Sequence, residues 1–174
     1  MIEYYALRQG NIMIQTIENL DHSQWMRRAI QQGQEAFQKG EVPVGCVILW
    51  KDQTIIAEAY NQRERLQDPT AHAEIIALRR AAKRLNRWRL QDCTVYVNLE
   101  PCFMCAGAMA LARVKHVVFG AYDKKGGASY ILQNKSTNHQ CIVTGGVLEE
   151  TSSEQLKSFF KIRRQNHSSS AILH

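Results

Sequence analysis

The sequence predicts an α/β fold, a three-layer α/β/α sandwich around a mixed, about five-stranded sheet. Three observations lead there. Two short apolar runs joined by a tight polar turn read as an opening hairpin. The strands that follow alternate with helix-period segments, and 174 residues are enough for one domain with its own core. A hairpin followed by alternating helices and strands combines antiparallel and parallel pairs, and such a sheet is covered by helices on both faces.

The elements follow in order. A first helix starts near Asp21 or Ser23, where Met26, Ile30, Gly33 and Phe37 recur at helical spacing and Gly40 offers a stop. Val44 to Trp50 is a buried strand, and the Lys51-Asp52-Gln53 turn returns the chain as a second strand, Thr54 to Tyr60. A polar loop through Arg63, Glu64 and Arg65 leads to Asp68-Pro69-Thr70, read as a helix-start signal for a helix from about Ala71 to Leu85. Thr94 to Leu99 is a strand. Pro101, suited to a first helical turn, opens a helix from Cys102 to about Arg113. His116 to Phe119 is a further strand, followed by a long loop from Asp123 to Gln140; loops of that length are often functional. A short strand near Cys141 to Thr144 and a last helix from about Thr151 to Gln165 complete the domain. Residues 21–166 are therefore expected to form the folded unit, after a poorly ordered extension (1–20) and before a flexible tail (167–174).

Composition narrows the class. The chain is 45% hydrophobic and 22% charged, with only three prolines, which is globular. Five cysteines are an odd number, spaced unlike a disulfide framework, so thiols in a reducing compartment are expected. The first twenty residues lack the pattern of a secretory signal, and no run approaches the ~18 apolar residues of a membrane helix. A soluble, cytoplasmic protein without membrane contact is the expectation. Lys plus Arg outnumber Asp plus Glu by 22 to 16, a balance that favours polyanionic partners.

Two motifs carry chemistry: His72-Ala73-Glu74 and Pro101-Cys102-Phe103-Met104-Cys105. Cys102 and Cys105 share one side of a first helical turn, where the helix dipole and free N–H groups favour the thiolate. His72 opens another helix. If the two helix starts adjoin, one imidazole and two thiolates supply three ligands of a tetrahedral zinc ion with the fourth position open, the mark of a catalytic site. Iron is not excluded, but this donor set favours zinc. Glu74 is poorly placed to be a fourth ligand and well placed to move protons beside a metal-activated water, as hydrolytic deamination requires. A lone C-x-x-C is more often half a zinc ribbon or a redox pair. Cys46, Cys93 and Cys141 complete no ribbon, and a redox site leaves His72 and Glu74 unexplained.

The signature H-x-E…P-C-x-x-C is that of the zinc deaminases. The wider pattern resembles the bacterial tRNA-specific adenosine deaminases within the cytidine-deaminase-like superfamily: Glu41-Val42-Pro43-Val44-Gly45, Asn61, Asp68 to Glu74, Leu99 to Met109, Val117 to Ala121, Asn138-His139, and Phe159-Phe160 with Arg163-Arg164-Gln165. The resemblance spans about Trp25 to Gln165. It implies the cytidine-deaminase-like fold, a homodimer, one zinc ion per subunit on His72, Cys102 and Cys105, and Glu74 as proton shuttle. It implies adenosine-to-inosine conversion at the wobble position of a tRNA anticodon stem-loop, with Asn61 on the extruded base. Asp123 and Lys125 in the loop, and Phe160, Arg163 and Arg164 on the last helix, are the further residues expected to hold RNA. One of Phe159 and Phe160 is expected to pack the helix on the core while the other stacks on a base. Ordinary alternatives stand beside these roles: Asn61 as a turn residue and Asp123 with Lys125 as a solvated loop. Two other functions use the same features, a deaminase of a free base or nucleotide (guanine or cytosine type) and a non-catalytic, zinc-stabilised RNA-binding module. Glu74 speaks against the second. Cys46 and Tyr130 depart from the family's usual small residues.

Overall fold

A computed structural model describes residues 21–170; the extension 1–20 lies outside the described residues, as do 171–174. The chain runs α1 (His22–Gln38), β1 (Gly45–Trp50), β2 (Thr54–Tyr60), a one-turn helix α2 (Arg63–Leu66), α3 (Ala73–Arg84), β3 (Cys93–Leu99), α4 (Phe103–Leu111), β4 (His116–Ala121), a 3₁₀ turn (Ser129–Gln133), β5 (Ile142–Thr144) and α5 (Glu149–Ser170). The five strands form one sheet in the order β2-β1-β3-β4-β5. β1 is antiparallel to β2 and β3, whereas β3–β4 and β4–β5 are parallel, so the sheet is mixed as expected.

Alternation along the strands assigns the layers. Cys46 and Ile48 of β1 point into a cluster with Ala73 and Ala77 of α3 and Ala106 and Met109 of α4. Val47 and Leu49 point the other way, onto Met26 and Ala29 of α1. α5 joins α1 on that second face, with the Phe159 and Phe37 rings meeting edge to face at 5.5 Å. α1 lies very close to β1. A Cβ on Gly45 would sit 2.2 Å from the Ala29 carbonyl oxygen, so only glycine admits the helix at this distance. Asn98, fully buried in β3, locks the same region. Its Oδ1 accepts from the Gly45 N–H (2.9 Å), and its Nδ2 donates to the Pro43 carbonyl (2.8 Å) and to Gln155 Oε1 of α5 (3.0 Å).

The two sheet edges differ. β5 is only three residues long. β2 is longer, and arginines from both helical layers close on its Glu58: Arg28 of α1 binds the carboxylate, and Arg80 of α3 donates to the Glu58 carbonyl. The pairing of β1 with β2 is also irregular between Ile48 and Leu49.

Three local expectations are revised. Asp68 does not cap α3. It closes its own turn, accepting from the Thr70 N–H (2.8 Å) and hydroxyl (2.7 Å), and His72 takes the cap position instead. The polar stretch at Arg63 contains α2, a single turn too short to show periodicity; the buried Glu41 carboxylate accepts from the Glu64 and Arg65 N–H groups at its start. α5 continues beyond Gln165 to Ser170, into residues expected to be tail. Among the described residues no helix is long and apolar enough to cross a membrane.

Candidate active site

The carboxyl end of β3 and the start of α3 bring the two motifs together. His72 is the N-cap of α3 and Cys102 that of α4, so the two helix starts adjoin and each presents a side chain from its first turn. His72 Nδ1 lies 3.7 Å from Cys102 Sγ and 3.6 Å from Cys105 Sγ. Tetrahedral zinc with Zn–S ≈ 2.3 Å and Zn–N ≈ 2.0–2.1 Å separates sulfur from nitrogen by about 3.6 Å, so the donors already stand at the required spacing. Among the described residues these three are the group able to hold a metal ion. All five cysteines are free thiols.

Protonation in the cluster is cooperative. Hydrogen bonds from the Cys105 thiol and from His72 draw Cys102 down to about 4. The bond to Cys102, reinforced by burial, pushes Cys105 up. His72 is raised by its bond to the Cys102 sulfur. Metals bind thiolates and neutral imidazole, so a divalent cation held by these donors would compete with their protons, which would couple its affinity to pH.

Glu74 lies in the first turn of α3, 3% exposed, outside the three-donor group. Burial pushes its carboxyl upward, and its Oε2 is buried with no hydrogen-bond partner. An orphaned carboxylate oxygen is costly to keep. Here it stands beside three metal donors, where a water and a substrate amino group can engage it. Asn61, just past β2 and 5% exposed, accepts from the Ala73 N–H through Oδ1 at 2.8 Å. That bond fixes its carboxamide at the start of α3 and leaves Nδ2 as a donor.

The predicted RNA residues divide. Asp123, Lys125, Phe160 and Arg164 line one groove of about 660 Å³, together with Arg63 and Tyr122. Leu99, the last residue of β3 and three before Cys102, also lines it, so the groove lies at the end of the sheet that carries the cluster. Phe159 is buried against Phe37, while Phe160, edge to face with Phe159 at 5.5 Å, is 42% exposed on the groove. Arg163 does not line the groove. It pairs with Glu64 at 3.6 Å and lies over the Phe159 ring.

Sequence reasoning missed the residue that organises the loop. The Glu100 carboxylate accepts from the Asp123 N–H (3.1 Å), the Ser129 N–H (3.3 Å) and the Ser129 hydroxyl (2.6 Å). The loop then returns alongside the segment that leads from β3 into α4, with the Ala128 N–H donating to the Pro101 carbonyl (2.9 Å) and Gly127 bridged to Cys102. A Cβ on Gly127 would sit 2.3 Å from Glu100 Oε2 and 2.6 Å from the Asp123 carbonyl oxygen. A carboxylate directly before Pro-Cys, and a Gly-Gly pair in the following loop, were the available signals.

A family model for MafB19-like deaminases matches residues 20–164. The tRNA-specific adenosine deaminase of Bacillus subtilis (strain 168) is 48% identical over 145 residues, 81% of this chain and 89% of that protein. The chain belongs to the tRNA-specific adenosine deaminases. A solved structure from a study of A-to-I editing by tRNA:A34 deaminases at the wobble position of transfer RNA superposes on this deaminase with a TM-score of 0.73. It is 36% identical, covering 78% of this chain and 100% of that one. The guanine deaminase of Bacillus subtilis is more distant: 33% identical, TM-score 0.57, over 83% of this chain and 94% of its own. The deaminase is thus an enzyme acting on C–N bonds, with the cytidine-deaminase-like fold.

Proposed function

We propose that this deaminase converts adenosine to inosine at the wobble position of a tRNA anticodon, with one zinc ion per subunit on His72, Cys102 and Cys105. The observation that carries the reading is the unpartnered, buried Glu74 oxygen beside a three-donor cluster, next to a groove lined by Phe160, Arg164 and Lys125. A purely structural zinc site has no use for that carboxylate. Identity of 48% to a tRNA-specific adenosine deaminase, against 33% to a guanine deaminase, supports the RNA substrate over a free base.

The residues divide the work. The reacting amino group is unreachable within a stack, so the nucleotide must be extruded, and an anticodon loop offers an unpaired base. Asn61 Nδ2 donates to the base while its Oδ1 remains tied to the Ala73 N–H. Phe160 supplies a stacking surface, and Lys125 and Arg164 hold phosphates, with Asp123 positioning the loop and Arg163, paired with Glu64, bracing the helix beside it. Hydrolysis adds water to the ring carbon bearing the amino group and expels ammonia. Glu74 takes a proton from that water at Oε2 and returns it to the departing nitrogen. Zinc bound by these donors supplies the Lewis acidity that brings the pKa of water towards ~7.

Residues 21–166 form the deaminase domain in this reading, and the cytoplasm, where tRNA is found, is its place of work. Two copies meet through α4: Phe103, Gly107 and Leu111 form an i, i+4, i+8 ridge, with Phe103 69% and Leu111 75% exposed beside Trp88.

Inosine formation on an anticodon stem-loop carrying a wobble adenosine tests the reading, with free adenosine, guanine and cytidine run in parallel. Conversion of the stem-loop alone is expected; turnover of a free base or nucleoside instead overturns the substrate assignment.

A further inference from the structure

The positive charge of this chain is not spread over it. Residues 75–90 hold Arg79, Arg80, Lys83, Arg84, Arg87 and Arg89 and no Asp or Glu, so of 22 cationic and 16 acidic residues the remainder holds sixteen of each. All six side chains are exposed. Four of them, Arg79, Arg80, Lys83 and Arg84, occupy i, i+1, i+4 and i+5 on α3 and tile one outward face.

Little inside the fold answers this charge. Arg80 donates to a backbone carbonyl, that of Glu58, rather than to a carboxylate. Arg79 feels Asp68, Arg87 pairs with Asp92 at 2.8 Å, and Arg89 lies over the Trp88 ring at 4.1 Å. Among the described residues the side chains of Lys83 and Arg84 have no ion-pair or hydrogen-bond partner. Cations in the last turn of a helix complement its dipole, which accounts for Lys83 and Arg84 but not for Arg79 and Arg80. The like-charge pairs Arg79–Lys83 and Arg80–Arg84, each at i, i+4, weaken the helix that carries them. A run of like charges that works against its own helix, with no carboxylate paired to its Lys83 and Arg84 side chains, points to a binding role.

We propose that the outward face of α3 is a second RNA-binding surface, which takes phosphates of the folded stem next to the target nucleotide. It is separate from the groove that holds Phe160 and Arg164, and it rests on the reading of the substrate as RNA. α3 begins at the metal cluster and rises ~1.5 Å per residue, so Lys83 and Arg84 stand roughly 16–18 Å along the helix from His72. A structured RNA with one extruded base spans that distance, and a free nucleoside does not. Phosphate contacts of this kind add affinity without sequence preference, and each released counterion adds to the salt dependence.

The test compares wild type with the Lys83→Gln/Arg84→Gln double variant, whose positions are exposed and unpartnered, so the fold survives. Binding of an anticodon stem-loop and of a full-length tRNA transcript is measured across a NaCl titration, with inosine formation on the same RNAs. The double variant should bind on the order of tenfold more weakly at low salt, with the log–log salt slope reduced by about 1.5–2, and should raise KM while sparing kcat. Lys83→Arg/Arg84→Lys, which keeps the charge, should restore the slope. An unchanged slope and KM in the Gln variant, with wild type still editing, removes this surface alone. Wild type that neither binds nor edits either RNA removes the substrate reading and this surface with it.

Discussion

Replacing Glu74 by Gln separates chemistry from architecture more cleanly than any other single change. The substitution keeps the shape of a side chain that is 3% exposed and lies outside the three metal donors, so metal content should stay at the wild-type value. The amide cannot accept a proton at the position of Oε2, the buried oxygen without a partner. Proton shuttling of this type contributes roughly 10²–10⁴-fold, so kcat should fall by that factor, about 3–5 kcal/mol of barrier. Stability should move the other way. Burial raises the Glu74 carboxyl above its unfolded value, so the carboxylate burdens the metal-free fold as pH rises above the ordinary carboxylate range. The Gln variant should therefore melt no lower than wild type at neutral pH without metal. Single-turnover inosine formation, metal analysis and a thermal melt on the same preparation give the three readouts. Turnover within tenfold of wild type, or loss of the metal, would refute the shuttle assignment.

Phe160→Ala removes a half-exposed ring from the groove wall; base stacking is worth ~1–3 kcal/mol per base, so stem-loop affinity should fall by roughly ten- to a hundredfold with little change in melting temperature. Gly127→Ala drives a methyl group to 2.3 Å from Glu100 Oε2 and should cost about 1–3 kcal/mol in urea denaturation, with a marked loss of kcat/KM on RNA. His116, buried and bonded to Thr144 Oγ1, is lowered to about 4 by burial and by the neighbouring His22. The unfolded chain thus binds more protons between about pH 4 and 6.5; the contribution is intact above that window and is lost as pH falls through it, up to about 3 kcal/mol. His116→Gln should flatten that acid limb of the stability profile, and an unchanged limb would refute the assignment.

The strands were legible because each is a short apolar run bounded by turn residues, and β2 falls on the expected residues, Thr54–Tyr60. The metal donors were legible because His72, Cys102 and Cys105 are residue types with few other reasons to sit at helix starts. What the sequence hid is held by contacts distant in the chain. Asp68-Pro69-Thr70 has the composition of a helix cap, yet a turn closed by Asp68 itself uses the same residues. The start of α2 is satisfied by Glu41, more than twenty positions away, and no local window contains that bond. Glu100 is an ordinary carboxylate until the fold brings Asp123 and Ser129 to it. Arg163 and Arg164 are neighbours in sequence, but helical geometry turns one onto Glu64 and the other into the groove.

The treatment of the sheet edges limits how copies of this chain can associate. Strand addition needs an open, flat row of backbone donors and acceptors. β5 offers three residues of it, and β2 is out of regular register opposite Ile48/Leu49 of β1 and gripped at Glu58 by guanidinium groups from both layers. Neither edge is a template for a continuous intermolecular sheet, which protects the protein against runaway polymerisation at high concentration. The dimer proposed through α4 uses a helical surface instead, where a closed two-fold contact ends at two copies.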